Sequence, residues 1–308
     1  MSCKHIPVLL DEVLKYTEDI DENACMLDCT LGFAGHSKAM LENTKNTKLI
    51  ACDKDDEAIS FAKEELKNFK DRVKIFKSDF KDIFKKLNTD EIKSLRLILA
   101  DIGLSSYQLD KDERGFSIRS NFLDMRMDTS LDLDAKTVIN TYSKEQLAEL
   151  FINYAQLKDA KNLAEKICAY RQKHYISSAK ELAQLIGNEK LKNRSILKSV
   201  LVFQALRIEV NQELKALQEL LETVSKAGLR NCKLLIISFH SLEDALVKTA
   251  FKQWAKSCIC DENLYKCVCG NNHSLGKIIN KKPLVASSSE IKMNSRSSCA
   301  KMRVFHFI

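Results

Sequence analysis

Four acidic residues follow apolar runs of strand length in the first hundred residues of the chain. They are Asp28, Asp53, Asp79 and Asp101. A carboxylate in such a place can accept hydrogen bonds from both hydroxyls of a ribose, which suits a nicotinamide dinucleotide or S-adenosylmethionine. An acid at Asp28 would repel a bound pyrophosphate but suits the ammonium and sulfonium groups of S-adenosylmethionine. The four acids together predict a cationic nucleoside cofactor.

A turn with two glycines follows the first of these runs. Gly32 and Gly35 lie between Thr30 and His36. Glycines there would let the backbone approach a ligand closely. The spacing meets the dinucleotide fingerprint GxGxxG only in part, so a turn without a ligand fits the short pattern about equally well.

Further polar groups follow the fourth run. Asp101 and Ser105 could orient an amine beside the reactive end of a cofactor. The residue types of a hydrolase triad also occur, at His240, Ser241 and Asp244, but residues so close in sequence do not easily reach that geometry. Ser241 is better explained as a helix N-cap, with Asp244 in the first turn.

Eleven cysteines include two CxC pairs, Cys258-Ile-Cys260 and Cys267-Val-Cys269, six residues apart. Four thiolates in a short hairpin could bind zinc. Residues i and i+2 of a strand face the same side, which allows the geometry. Reduced or redox-sensitive thiols are the alternative, so the sequence assigns no metal.

The elements that position these residues alternate between strands and helices. Strands are predicted at 25–30, 48–53, 72–80, 95–101, 232–240 and 301–308, and helices at 56–69, about 200–227 and 241–256. The four acids are 22 to 26 residues apart, about the length of one strand, one helix and two short loops. A parallel sheet with the acids at its carboxyl edge is therefore predicted. From about 113 to 210 only helical patterns occur, with capping boxes at Ser143 and Ser178.

Composition excludes several classes of protein. In 308 residues, 45% are hydrophobic and 30% charged, which excludes disorder as the main state. No apolar run approaches the roughly 18 residues of a membrane helix. Asp11 and Glu12 argue against a signal peptide, so a cytoplasmic location is predicted. Residues 1–60 contain six Lys/Arg against twelve Asp/Glu, and residues 281–308 contain six against one. This asymmetry fits a cationic cofactor and an anionic substrate, or merely two different solvated faces.

The sequence resembles the bacterial 16S rRNA cytosine-N4 methyltransferase family (RsmH or MraW) over nearly its full length. The stretches that carry the resemblance, in the family's order, are HIPVLLDEV (5–13), DCTLGFAGHS (28–37), DIGLSSYQLD (101–110), ERGFS (113–117), LDMRMD (123–128), FQALRIEVNQEL (203–214), ISFHSLED (237–244) and NSRSSCAKMR (294–303). The resemblance implies an α/β class I S-adenosylmethionine-dependent methyltransferase with an inserted helical domain. We expect the methyltransferase domain at 1–112 and 211–308, the latter with a basic tail, and an RNA-recognising insert at 113–210.

The resemblance also implies a reaction: methylation of a decoding-site cytidine on N4, with S-adenosylmethionine as donor and 16S rRNA, within the small ribosomal subunit, as partner. Neither DNA nor a membrane is expected as a partner. The implied cofactor contacts are Ala34, Gly35, His36, Asp53, Phe80, Asp101 and Gln108. Asp101 and Ser105 are the hypothesised acceptors for the hydrogens of the amine. Candidate RNA contacts are Arg114, Phe116, Arg126, Arg207 and, in the tail, Arg296, Lys301 and Arg303. Solvated surface charge is the alternative for the basic residues.

Three positions depart from the family pattern. Ala34 replaces a usual glycine, which costs on the order of 1 kcal/mol if that position has positive φ. Asn121-Phe122 replaces an Asp-Gly-Pro turn, and Leu197-Lys198 replaces His-Pro. Two other functions compete with methyl transfer. A nicotinamide-dependent oxidoreductase would share Asp53, and a non-catalytic, zinc-stabilised RNA-binding module would explain the tail and the cysteines.

Overall fold

The computed structural model describes residues 6–187, 189–190, 196–261 and 263–308, without the side chains of Ser106 and Tyr107. His5, the first residue of the family motifs, lies outside these ranges, as does Cys3. The chain forms two compact units. The first comprises the residues up to Gly103 together with Ala216–Ile308, and the second is Leu104–Lys215.

These borders differ from the boundaries expected at 112/113 and 210/211. Leu104 and Leu109 pack against the hydrophobic core of the second unit, so the residues just after Gly103 belong with the insert. At the other border, the Asn211 amide binds the backbone of Met125 and Met127 within the second unit.

The first unit contains a seven-stranded sheet within the described ranges. Its strands are β1 (Cys25–Asp28), β2 (Lys48–Asp53), β3 (Val73–Lys77), β4 (Leu95–Asp101), β5 (Cys232–Ser238), β6 (Gly276–Ile278) and β7 (Lys301–Phe307). The order is β3-β2-β1-β4-β5-β7-β6. Strands β1 to β5 are parallel, and β7 runs antiparallel to β5 and β6. The α/β class predicted from the sequence is confirmed.

Both faces of this sheet are buried, which explains why its strands read as nearly continuous apolar runs. Leu27, Ile98 and Ile236 belong to one hydrophobic cluster, and their neighbours Met26 and Leu97 belong to another on the opposite face. The helices of this unit are α1 (Leu10–Leu14), α2 (Gly35–Asn43), α3 (Asp56–Glu65), α4 (Thr89–Ser94), α12 (Ser241–Trp254) and α13 (Ser288–Met293), with 3-10 helices at Lys67–Arg72, Phe80–Lys86 and Ser295–Cys299.

The second unit is helical. It contains α5 (Ser106–Asp110), a 3-10 turn at Asp112–Arg114, α6 (Ala135–Thr141), α7 (Lys144–Asn153), α8 (Ala160–Arg171), α9 (Ala179–Ile186) and α10 (Lys198–Asn211). Helix α11 (Glu213–Lys226) begins here and ends in the first unit. Ser143 and Ser178 cap α7 and α9, each accepting the backbone N–H three residues on, and the predicted capping box is complete at Ser143. At Ser178 the Glu181 side chain accepts the Ser177 N–H instead. The helices enclose a core that includes Leu147, Phe151 and Leu206.

Two predictions about helices are wrong. The long helix expected at 200–227 is divided at Gln212, whose left-handed backbone (φ 51°) ends α10. Helix α12 is capped by His240 rather than Ser241: the His240 ring accepts the Glu243 N–H, and Glu243 accepts the His240 N–H in return. Asp244 is instead bound to Arg303.

Other elements differ in length from the prediction. The helix at 56–69 is regular only to Glu65, and the strand at 72–80 is shorter at both ends. The three-residue strand β6 carried no recognisable pattern. None of the helices in the described ranges is both long and apolar enough to cross a membrane.

Candidate active site at the carboxyl edge of the sheet

Three of the four predicted acids end parallel strands at one edge of the sheet. Asp28 ends β1, Asp53 ends β2 and Asp101 ends β4. Asp79 lies two residues beyond the end of β3. Because the carboxyl ends of parallel strands meet at the same edge, the sheet concentrates negative charge where such folds bind ligands.

The Asp28 carboxylate makes its hydrogen bonds within the loop that follows β1. The Ser37 hydroxyl donates to Oδ2 at 2.6 Å and the Thr30 N–H donates to Oδ1 at 3.0 Å. The carboxyl is 1% exposed, and its burial raises its pKa. Asp28 therefore shapes the loop after β1. Thr30 and Ser37 were not singled out from the sequence, although both lie within the DCTLGFAGHS motif.

Asp53 ties the same loop to β2. It accepts the Gly32 N–H at 2.8 Å and the Asp55 N–H at 2.9 Å, and burial raises its pKa. Ribose hydroxyls would add to these contacts, because an ionised carboxylate has about four acceptor positions.

The turn between β1 and α2 has two left-handed residues. Gly32 has φ 49° and Ala34 has φ 61°, so the positive φ on which the sequence argument for Ala34 depended is present. Gly35 must be glycine for another reason: a Cβ there would lie 2.5 Å from Cγ of Pro7. The backbone of this turn is thus held close to the N-terminal segment.

His36 and Asp101 face each other across the loop. The His36 Nε2 lies 2.9 Å from the Val8 carbonyl oxygen, and its Nδ1 lies 3.7 Å from Oδ2 of Asp101. The second distance is too long for a hydrogen bond. The Asp101 N–H donates to the Thr30 hydroxyl at 2.7 Å, which fixes the start of its loop.

Asp101 differs from Asp28 and Asp53 because one of its carboxylate oxygens lacks a hydrogen-bond donor among the described residues. Its Oδ1 is buried and has no hydrogen-bond partner within the described part of the chain. The side chain as a whole remains 21% exposed. Burial raises the pKa of Asp101 to about 6, with His36 opposing and Asp28 adding to the rise. A buried acceptor without a donor costs free energy, so this oxygen marks a place for a ligand.

Asp79 and Phe80 open the 3-10 helix Phe80–Lys86. Asp79 accepts the Lys81 N–H as the N-cap, and its Oδ2 lies 3.8 Å from Nζ of Lys54. Phe80 is half-buried and packs against one face of the sheet's core. The predicted contact between Phe80 and the cofactor stays a prediction.

Ser105 and Gln108 lie in the second unit and cap helix α5 together. The Ser105 hydroxyl accepts the Gln108 N–H at 3.2 Å, and the Gln108 side chain accepts the Ser105 N–H at 3.1 Å. This reciprocal pattern is a capping box, a role that the sequence analysis did not assign to either residue. Their catalytic and cofactor-binding roles stay predictions.

The candidate arginines of the second unit are bound within it. Arg114 is 6% exposed and donates to the carbonyl oxygens of Arg126 and Met127. Arg126 makes a two-pronged ion pair with Asp124 at 2.6 and 2.8 Å.

Arg207 makes a similar pair with Glu213, with both distances 2.8 Å. These geometries explain the arginines as supports of the chain between α5 and α6 and of the break between α10 and α11.

Phe116 does not offer a stacking surface in this structure. It is 7% exposed and belongs to the core of the second unit. Phe122, six residues later, has the exposed ring, at 48%. The only sequence signal for Phe122 was an aromatic residue directly before the LDMRMD motif. Phe122 was considered there only as part of a departure from the family pattern.

The three candidates in the tail divide in the same way. Arg303 is 7% exposed and makes a two-pronged pair with Asp244 at 2.6 and 3.0 Å. Arg296 is exposed and Lys301 is half-exposed. Of the three candidates, Arg296 and Lys301 therefore have side chains that solvent reaches.

The cysteines also divide by location. Cys25, Cys29, Cys52 and Cys232 are buried, whereas Cys299 is exposed. Cys258, Cys260, Cys267 and Cys269 have their sulfur atoms within 4.8 Å of one another.

The residues at the carboxyl edge fit S-adenosylmethionine. Asp101 offers an unpartnered buried oxygen to a cation, Asp53 keeps acceptor capacity for a ribose, and the Gly32–Gly35 turn brings the backbone close. The sheet and this edge agree with the class I S-adenosylmethionine-dependent methyltransferase fold that the resemblance implies.

The model of the MraW methylase family matches residues 2–308, and the chain belongs to that family. A relative from Campylobacter curvus, named ribosomal RNA small subunit methyltransferase H, is 57% identical over 305 residues, covering 99% of this chain and 98% of the relative. A relative of the same name from Campylobacter lari is 57% identical over 308 residues and the full length of both chains. These findings exclude the oxidoreductase and the non-catalytic module.

Among solved structures, an rRNA methylase from Streptococcus thermophilus matches over 99% of each chain, with a TM-score of 0.43 and 7% identity. That likeness is too distant to indicate a function.

Proposed function

We propose that this enzyme transfers a methyl group from S-adenosylmethionine to the exocyclic N4 amine of a decoding-site cytidine in 16S rRNA. The names of the relatives support small-subunit rRNA as the substrate. The family motifs support cytosine N4 as the acceptor atom. The unpartnered Oδ1 of Asp101 is the observation that carries the chemistry.

The cofactor, when bound, supplies a methyl group on a positively charged sulfur. We assign the backbone at Ala34, Gly35 and His36, together with the Asp53 carboxylate, to holding its amino-acid and ribose parts. Asp28 keeps this loop in shape through Thr30 and Ser37. Phe80 and Gln108 are assigned to the same cofactor on the family motifs alone.

Asp101 has the features that the acceptor amine requires. The lone pair of the cytosine amine is delocalised into the ring, so the amine must be aligned and its hydrogens held. An oxygen without a partner can accept one of these hydrogens, and a pKa of about 6 allows it to take the proton released when the N–C bond forms. Ser105, four residues further along the chain, is proposed as a second acceptor. Alignment of the two reactants can contribute roughly 7–11 kcal/mol in favourable cases.

Recognition of the RNA requires the base to leave its stack and the backbone to be held by cations. Arg296 and Lys301 are assigned to phosphates because they are accessible. The exposed ring of Phe122 is assigned to stacking in place of the buried Phe116. We place the reaction in the cytoplasm, with the assembled small subunit as the partner.

The test is methyl transfer from S-adenosylmethionine labelled in its methyl group to small ribosomal subunits that lack the modification. Nucleosides are then resolved by mass spectrometry, with naked 16S rRNA as a parallel substrate. Label in N4-methylcytidine is expected. Label in another nucleoside, or bound cofactor without transfer to either RNA, would overturn the proposed substrate. A protein that does not bind S-adenosylmethionine would overturn the cofactor assignment as well.

A further inference from the structure

The chain between α12 and β6, residues 255–275, is poorly packed against the rest of the protein. None of its described residues is buried, and Tyr265 and Val268 are 100% and 78% exposed. Connections longer than about 12–15 residues without secondary structure are uncommon in compact domains and are usually functional or disordered. An apolar core orders little of it, because Ala255 and Leu275, at its two ends, are the residues that pack partly against the core of the sheet.

Four thiols converge inside this segment. The cysteine cluster consists of Cys258, Cys260, Cys267 and Cys269. The distances between neighbouring sulfur atoms are 3.5 Å (258 to 267), 3.5 Å (267 to 269), 3.7 Å (258 to 269) and 3.9 Å (260 to 267). Four sulfurs placed about 2.3 Å from a tetrahedral zinc ion are roughly 3.8 Å apart. A disulfide would instead require about 2.05 Å.

The backbone of the cluster is arranged for thiolates. The Ile259 N–H donates to Sγ of Cys269 at 3.4 Å, and the Val268 N–H donates to Sγ of Cys260 at 3.3 Å. Such donors stabilise the charged form of sulfur, which is the form that binds a metal. His273 lies outside the sulfur cluster, with its Nε2 2.8 Å from the Cys269 carbonyl oxygen.

The position of the cluster separates it from the chemistry of methyl transfer. Gly276, at the start of β6, pairs with Phe307, which pairs in turn with Cys232 at the amino end of β5. Residues 255–275 therefore join the sheet at the edge opposite the acids that end β1, β2 and β4. A metal there would be structural.

We propose that the cysteine cluster binds one zinc ion in a closed tetrahedral thiolate site that orders residues 255–275. Tetrahedral sulfur ligands select zinc or iron, and four protein ligands without an open position are typical of structural zinc. Binding deprotonates the thiols and releases up to four protons to the solvent, and the metal keeps its oxidation state. This site does not depend on the proposed methylation of rRNA.

The first measurement is the metal content of the full-length protein purified without chelators, by elemental mass spectrometry and native intact mass. One zinc per chain is expected. The double variant Cys260→Ser/Cys267→Ser should lose it, whereas Cys299→Ser, which changes an exposed cysteine outside the cluster, should keep it. Iron in the protein, or zinc retained by the double variant, would overturn the proposal.

A second measurement needs no variant. A mercurial reagent that modifies thiols should release one equivalent of zinc from the wild-type protein, detected with a colorimetric chelator. After zinc removal, trypsin should cleave after Lys266, inside the segment, roughly tenfold faster or more. A released zinc without faster cleavage would overturn the ordering role. Four non-reactive thiols before modification would indicate disulfides and would overturn the site.

Discussion

The acid region (Asp28, Asp53 and Asp101) and the arginine segment (residues 114–127) differ in what their polar groups contact. In the first, Asp101 has a buried oxygen without a partner in the described structure. In the second, Arg114 binds two carbonyl oxygens and Arg126 binds Asp124. Charged residues of the family motifs therefore fall into two groups: within the described ranges Asp101 keeps an oxygen without a protein donor, whereas Arg114 and Arg126 hold neighbouring parts of the chain.

The largest effect should come from Asp101→Asn, which keeps the shape of the side chain and removes its charge. We expect kcat to fall about 10²–10⁴-fold, because the acceptor for the amine proton is lost. The free energy of unfolding should stay the same or rise, since a desolvated charge is removed. Single-turnover methylation and urea unfolding measure the two quantities.

Asp71→Asn is the matched control, because Asp71 is exposed and lies away from the acid-lined edge. Activity of Asp101→Asn within tenfold of the wild type would remove the distinction between the two regions.

Arg114→Met should give the opposite result. It leaves the carbonyl oxygens of Arg126 and Met127 without their donor, so the free energy of unfolding should fall by about 1–3 kcal/mol. The activity of the folded fraction should stay within a few-fold. Arg119→Met, a change at an exposed arginine of the same segment, should leave stability within about 0.5 kcal/mol. A stable Arg114→Met protein that no longer binds RNA would show that Arg114 contacts the substrate.

The pH dependence of cofactor binding tests the acid region alone. Asp101 is negative above its pKa of about 6 and neutral below it, so a cationic cofactor should bind more weakly as the pH falls. The affinity for S-adenosylmethionine should drop about tenfold per pH unit below 6. The drop should be smaller in the Asp101→Asn variant.

The contribution of Asp101 to the stability of the free protein, measured against Asp101→Asn, should change in the other direction. Because the pKa of Asp101 is raised on folding, its protonation below pH 6 favours the folded state. Titration calorimetry and urea unfolding between pH 5 and 8 measure the two trends. Affinity that is unchanged down to pH 5 would contradict the role of Asp101.

Local patterns predicted the acid region well. Strands β2 and β4 have the predicted limits, since each is an apolar run that ends in an acid. The resemblance pointed to Ala34, and its left-handed backbone is present. What a motif residue contacts was not predictable, because that depends on partners far away in sequence.

The break at Gln212 shows this for a helix. The periodicity is helical on both sides of Gln212, yet the chain bends where Asn211 binds the backbone of Met125 and Met127, more than eighty residues earlier. Arg303 shows the same dependence for a side chain, since its partner Asp244 lies 59 residues earlier in the sequence. The sequence gives the charge of Arg303 but not the carboxylate that neutralises it.

The smallest effect should distinguish accessible from interior cations in the tail. Arg296→Ala should reduce the slope of log affinity for RNA against log salt by about 0.7–0.9, the contribution of one phosphate contact.

The pair of changes Arg303→Met and Asp244→Leu removes an interior ion pair without altering net charge, and such exchanges are often neutral for stability. That double variant should keep the wild-type slope. Filter-binding titrations from about 50 to 200 mM salt measure both slopes. A reduced slope in the Arg303 double variant would mean that the interior pair opens to bind phosphate, and the contrast between interior and exposed cations would then fail for the tail.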